Sequence, residues 1–250
     1  MAPRLLDENS LRAREQQIIE AAIEIIQRNG VENLTMDKVV SGVPFSKGTV
    51  YKHFLGKEDL ILAISNYAMS ILADLFCRAA QFQGCPRERM MLVNFSYLLY
   101  AILHPALFKT AQCAKSPNVY GKCSEERLGQ QEQLEFKLLG AIHSIVEEAL
   151  ASGSFTLPEH MNIQQVCFAN WSVGHGTIGL LSDDVEQCEG SNGLIVEREL
   201  FNQNNLLFDG LQWAPFTKDH DYRAGLRKAL EEIFPGELLL IKRLGRELQI

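Results

Sequence analysis

The sequence predicts an all-α protein: a small N-terminal head of three helices, residues 1–57, followed by a larger helical body, residues 58–250. Three observations lead there. Apolar residues recur every three or four positions over long stretches, the spacing of one helix face. No stretch alternates with the period of two that a half-buried strand requires. Glycine and proline punctuate the chain between the periodic stretches, as helix ends do. With 250 residues, 46% of them hydrophobic, there is enough apolar surface for a sizeable core. No internal repeat or low-complexity tract is present.

Residues 1–12 read as a loose arm whose Arg4 and Arg12, with Arg14 just beyond, either touch a nucleic-acid backbone or lie solvated. A first helix is expected from Ala13 to Arg28, where Ile18, Ala22, Ile25 and Ile26 share a face and Asn29-Gly30 stops the run. Residues 34–58 read as two short helices and a tight turn. Thr35 is an N-cap for the first, and Met36, Val39 and Val40 give it an apolar face. Pro44 lacks an N–H and pushes Val43 out of the helical region, so the chain breaks over Ser41-Gly42-Val43-Pro44. Ser46 can cap the second helix, Lys47 to Phe54. Val50 and Phe54, four apart, point inward; Gly48, Thr49 and Lys52 point away, with Tyr51 and His53 at the edges. Gly56 is expected to end this helix as a left-handed glycine.

Lys57-Glu58-Asp59 opens a long helix through about Phe82, with Leu60, Ile64, Tyr67, Ile71, Leu75 and Ala79 on its buried side. It starts in the head and continues into the body, the geometry of a rigid lever. After Gly84-Cys85-Pro86, the stretch Arg87–Leu103 is apolar on all sides and expected to be buried. A shorter helix at 105–115, a loop at 116–121 and a long helix from Ser124 or Glu125 to about 151 follow, the last with a stripe of Leu134, Leu138, Ala141, Ile145 and Ala149. Further helices are expected at 162–181, 194–213 and 219–234. An acidic, glycine-containing loop lies at 182–193, and a final segment, 237–250, is apolar early and cationic later.

A helix as short as Lys47–Phe54 is not stable alone. Neighbours must hold it with its outer face free, and that face offers hydrogen-bonding and cationic groups of modest size. Such groups suit phosphates and base edges in a major groove wide enough for one helix. Two short helices and a turn, the second presented outward, is the helix-turn-helix arrangement.

Residues 18–60 resemble the DNA-binding domain of the TetR family of bacterial transcriptional regulators. The resemblance rests on Ile18, Ala21, Ala22, Gly30 and Thr35, then the run Ser46-Lys47-Gly48-Thr49-Val50-Tyr51-Lys52-His53-Phe54, then Lys57-Glu58 and Leu60. It covers about a fifth of the chain. By that resemblance Lys47, Gly48, Thr49, Tyr51, Lys52 and His53 contact DNA, and Thr35 and Lys57 contact backbone phosphates. The family usually has alanine-glycine-valine in the turn; here the residues are Val43-Pro44-Phe45, and proline cannot adopt the left-handed conformation open to glycine, so the turn is expected to differ.

The resemblance also implies a homodimer, a pseudo-palindromic double-stranded operator, and a small, largely apolar effector bound in the body. Aromatic or polar-tipped residues on body helices that suit such a cavity are Phe95, Tyr100, Phe108, Phe136, Phe168, Trp171 and His175, each of which has ordinary core as its other reading. The helix 164–181 carries Gly174, Gly176 and Gly179, each costing roughly 0.5–1 kcal/mol relative to alanine. Close approach of another helix would offset that cost; the other reading is that the glycines merely loosen the helix. The expected dimer pairs this helix and a later one, 195–213 or 220–234, with their copies.

The net charge of −7 is unevenly spread. Residues 1–57 hold eight Lys and Arg against seven Asp and Glu, leaving the acidic excess in the body. A near-neutral head predicts few phosphate contacts and strong salt sensitivity. No nucleophile elbow, phosphate loop or metal-ligand spacing is present, so no catalysis, metal or cofactor is expected. The six cysteines (77, 85, 113, 123, 167 and 188) are scattered and read as idle thiols, with a thiol sensor as the other reading, and the six histidines are dispersed. No transmembrane helix or signal peptide is expected, and cytoplasmic localisation follows. The reading is a ligand-released homodimeric repressor. Two others stay open: an architectural DNA-binding protein that recruits a protein partner, and a small-molecule-binding helical protein with a vestigial head.

Overall fold

The computed structural model describes residues 7–114, 117–182 and 189–250, with the backbone alone at 111–114. Arg4, the Cys113 side chain, Cys188 and half of the expected acidic loop at 182–193 lie outside the described residues. Every regular element among them is a helix: α1 (Glu8–Asn29), α2 (Met36–Ser41), α3 (Lys47–His53), α4 (Lys57–Ala80), α5 (Pro86–Leu103), α6 (Pro105–Ala114), α7 (Pro117–Tyr120), α8 (Glu125–Ala151), α9 (Ile163–Leu180), α10 (Val196–Gly210), α11 (Tyr222–Ile233) and α12 (Pro235–Arg243). The chain divides into two compact units. The first holds residues up to Ser70 with His104–Glu135; the second holds Ile71–Leu103 with Phe136–Ile250. The boundary falls within α4 and again within α8, so the head shares its unit with α6, α7 and the start of α8, a grouping the sequence did not reveal.

In the first unit the core gathers Ile18 and Ala22 of α1, Leu34, Val39 of α2, Val50 of α3, Phe54, and Leu60 and Ile64 of α4, all buried. The caps set the element ends. The Asp7 carboxylate accepts from Ser10 N–H at 2.8 Å, so α1 begins at Glu8 and residues 8–12 are helix rather than arm. Thr35 Oγ1 accepts from Lys38 N–H at 3.3 Å and Ser46 Oγ from Thr49 N–H at 3.2 Å, as the sequence predicts. The departure in the turn is absorbed without strain. Gly42 stays in the right-handed region (φ −89°, ψ −3°), and no residue from 42 to 46 has a positive φ, so Pro44 meets no conformational barrier. Gly56 does not play its expected part. α3 ends because Phe54 turns extended (φ −134°, ψ 127°), and Gly56 has no left-handed φ; its carbonyl instead accepts from Leu60 N–H at 3.1 Å as α4 begins. The expected loop at 116–121 contains the short α7. Pro86, Pro105, Pro117 and Pro235 each open a helix, where a missing N–H leaves nothing unsatisfied.

In the second unit α5 is buried nearly all round, as its composition predicts. Its first turn buries a charge. The Arg87 guanidinium donates to Asp209 Oδ1 and the Trp213 carbonyl at 2.7 Å, the Pro215 carbonyl and Thr217 Oγ1 at 2.8 Å, and Asn205 Oδ1 at 3.1 Å. The Tyr222 ring lies 4.6 Å from its centre. Trp213, fully buried, stacks on Phe155 at 4.8 Å. Midway along α5, Asn94 Nδ2 donates to Asn170 Oδ1 of α9 at 2.7 Å and to Asn204 Oδ1 of α10, a buried polar junction of three helices. A Cβ at Gly174 would stand 2.8 Å from Asn94 Oδ1, so this glycine admits α5 of its own chain, while Gly176 and Gly179 face open space. α12 is held by Arg78, which donates to Glu237 Oε1 and to the Ile233 carbonyl, both at 2.6 Å, and lies 4.7 Å over the Phe234 ring. By length and composition α4 is apolar enough to cross a membrane, yet 61% of its apolar window is buried within the protein, as in a core helix.

Candidate nucleic-acid interface

The outward face of α3 is built from its anchor. Val50 is fully buried, and this fixes the rotation of the helix so that Lys47, Gly48, Tyr51 and Lys52 emerge on the opposite side, exposed, with Thr49 half-buried at the margin. A Cβ at Gly48 would meet nothing nearer than Ser46 Oγ at 3.9 Å. The fold does not demand a glycine there, and its absence of side chain leaves room for the close approach of another molecule. The Thr49 hydroxyl pairs with Ser46 Oγ at 2.9 Å. Lys47 Nζ donates to Asp37 Oδ1 of α2 at 2.8 Å and lies 5.8 Å from the centre of the Tyr51 ring. The bond to Asp37 and its negative charge hold the Lys47 ammonium above its ordinary pKa. Lys52 is exposed with no ion pair among the described residues.

The other expected DNA contacts are placed differently. His53 turns inward: a tenth of its side chain is exposed, and Nδ1 lies 3.6 Å from Glu15 Oε2 of α1. Thr35 uses its hydroxyl as the α2 cap, and Lys57 Nζ donates to the Glu32 carbonyl at 3.1 Å. Two residues of this unit were missed by sequence reasoning. The buried Arg127 of α8 donates to Glu15 Oε1 at 2.8 Å and to the His53 carbonyl at 3.4 Å, and sits 4.9 Å over the Phe54 ring. Asp59, also buried, accepts from the N–H groups of Leu55 and Ser124 at 3.1 and 3.0 Å. Together they fix the C-terminal end of α3. No local pattern announces a bond between residues 74 apart.

Of the residues suggested for an effector, the second unit brings four together around one that was not suggested. The Tyr97 hydroxyl pairs with His175 Nδ1 at 2.9 Å, and the two rings stack. Trp171 stacks on the other side of the series, 5.3 Å from His175, with Phe168 5.9 Å beyond it and Tyr100 stacked 6.3 Å from Tyr97. Burial raises the Tyr97 and Tyr100 hydroxyls well above the ordinary tyrosine pKa, so both remain neutral. Phe95 is core, Phe136 is 83% exposed and stands outside this group, and Phe108 belongs to the first unit.

Residues 18–64 match the family described as bacterial regulatory proteins, tetR family. The head is a TetR-family domain. Beyond it the likeness thins. The chain is 28% identical over 90 residues to the fatty acid metabolism regulator protein of Bacillus subtilis (strain 168), covering 35% of this chain and 46% of that one. It is 31% identical over 104 residues to an HTH-type transcriptional regulator of Staphylococcus aureus (strain MRSA252), covering 41% and 54%. The chain thus spans about half the length of the curated relatives it matches. The fold extends further: the crystal structure of the transcriptional regulator FadR from Bacillus subtilis in complex with stearoyl-CoA superposes with a TM-score of 0.60 at 17% identity, over 78% of this chain and 98% of that one. The TetR-family head therefore sits on a chain whose fold, body included, is shared with regulators of that family.

Proposed function

We propose that the protein is a homodimeric, sequence-specific DNA-binding regulator of transcription, a cytoplasmic repressor released by a small, largely apolar effector, with no enzymatic activity. The observation that carries the reading is the outward face of α3. Val50 anchors the helix, and Gly48, Thr49, Tyr51 and Lys52 present donors, a cation and an uncovered stretch of backbone, with Lys47 beside them paired to Asp37, groups suited to phosphate and base edges. The inward His53 positions the helix through Glu15. Pairing of two copies through α9 and α10 is supported by Phe168, Leu180 and Leu206, each more than 60% exposed, and by the open space at Gly176 and Gly179. Two heads then meet two half-sites of a pseudo-palindrome. For the effector, the Bacillus subtilis regulator solved with stearoyl-CoA favours a long-chain acyl-CoA as the first to try, its acyl chain supplying the apolar part and its coenzyme A a polyanionic remainder.

Selection of bound sequences from a random duplex pool by the full-length protein tests the reading. An enriched inverted repeat is expected. Tyr51→Ala and Lys52→Ala should each weaken binding to it by roughly ten-fold or more, on the scale of 1–3 kcal/mol per base or phosphate contact, with the circular dichroism melt unchanged. Added long-chain acyl-CoA should lower operator affinity. No enriched sequence from a folded protein would overturn the reading; enrichment without any acyl-CoA effect would overturn the effector class alone.

A further inference from the structure

Asp37 makes no side-chain bond within α2, where its only evident duty is that of an exposed acid in the first turn. The cap there is Thr35, and the Asp37 side chain is 81% exposed. Its carboxylate bonds to Lys47 across the helix-turn-helix at 2.8 Å, the separation at which an ammonium meets a phosphate oxygen. The Tyr51 ring lies beside the same ammonium. The Lys47 ammonium has three N–H donors but a single charge, so it can neutralise a DNA phosphate only at the expense of Asp37, whose carboxylate would then stand uncompensated against a polyanion. Lys52, five residues further on and also exposed, is free of any such partner among the described residues. The head as a whole has almost no positive excess to spare.

We infer that Asp37 is an intramolecular stand-in for a DNA phosphate, which withholds Lys47 from backbone binding and lowers the affinity of the head for DNA of any sequence. The inference rests on the DNA-binding reading above. Its physical content is a count of released counterions. Each phosphate neutralised on a duplex adds roughly 0.9 to the slope of log affinity against log salt. A lysine already neutralised by its own chain adds little.

The experiment uses the full-length protein, a non-specific duplex and the selected site, with affinity read by fluorescence anisotropy over a range of potassium chloride. Asp37→Asn preserves shape and removes the charge. It should tighten binding to both duplexes by roughly three- to ten-fold at low salt and steepen the slope by about 0.9 per head. Lys47→Ala alone should leave the slope near the wild-type value, and in the Asp37→Asn background it should abolish the gain. Three results overturn the inference alone: specific binding that Asp37→Asn leaves unchanged, a wild-type slope that Lys47→Ala already flattens by about 0.9 per head, or an Asp37→Asn gain that persists in full without Lys47. Failure of wild type and variants to bind any duplex overturns the DNA-binding reading and the inference with it.

Discussion

Arg87 shows how much one side chain can organise. A buried guanidinium is tolerable only if nearly every N–H finds an acceptor and the charge finds an opposite. Here Asp209, two backbone carbonyls, Asn205 and Thr217 supply them, and the result ties the start of α5 to α10 and the segment after it. Truncation would take away the Arg87 donor to the Trp213 carbonyl and leave the Asp209 charge without its cation, while the Pro215 carbonyl would keep the Tyr222 hydroxyl. Arg87→Ala should cost about 3–5 kcal/mol, read as a lower urea midpoint with unchanged steepness. In the sequence this arginine merely opened an apolar run. Nothing within ten residues marks it as buried, because all five partners lie more than a hundred residues away.

Helices were legible where local chemistry decides them. The caps at Thr35 and Ser46, the inward Val50 and the all-round burial of α5 follow from spacing and from side-chain oxygens. The misses are cases where a second feature competed. Asp7 looked like part of a charged tail but caps α1, and Gly56 looked like a helix stop but follows one already made by Phe54. The outward side of α3 was legible; the inward turn of His53 and the hold of Arg127 depend on partners on α1 and α8 and were not. At this scale α12 yields a prediction about acid. Burial pushes the Glu237 carboxyl up, but the bonds and charge of Arg78 together with a backbone N–H hold its pKa below the usual 4.5. Asp209 is likewise pushed up by burial and held down more strongly by Arg87 and Thr217. A depressed carboxylate stabilises the fold fully above its unfolded pKa and loses that stabilisation as pH falls through the folded value. Burial holds the His104 imidazole below its ordinary pKa, so the urea midpoint should ease downward as pH falls through about 6.5 and drop further below about 4.5, and Glu237→Gln should start lower and lose less in the second step.

Across the whole chain, charge is unevenly spread: the head is nearly neutral and the remainder acidic, while large exposed apolar side chains appear on α9 and α10 as well as in the head, on α8 and on α12. If α9 and α10 join two copies, Leu180→Glu with Leu206→Glu should yield a folded monomer by sedimentation. Operator affinity should then fall on the order of 100-fold, because the second head no longer binds at high effective concentration. A dimer that survives both substitutions would place the interface elsewhere. Of the three glycines that the sequence offered for this contact, Gly174 is already used by Asn94 within the chain, which leaves Gly176 and Gly179 to a partner.

The chain has two tryptophans, and they sit in opposite surroundings. Trp213 is wholly enclosed beside Phe155 and the Arg87 cluster, whereas Trp171 is 41% exposed and stacked on an imidazole. Their ultraviolet emission should therefore separate by wavelength, short for Trp213 and long for Trp171, the latter dimmed by its histidine neighbour. The long-wavelength component becomes an unlabelled optical gauge of the α9 surface, and the short-wavelength component a gauge of whether the protein is intact. A Trp171→Phe variant, which should erase only the first, calibrates both in the same cuvette.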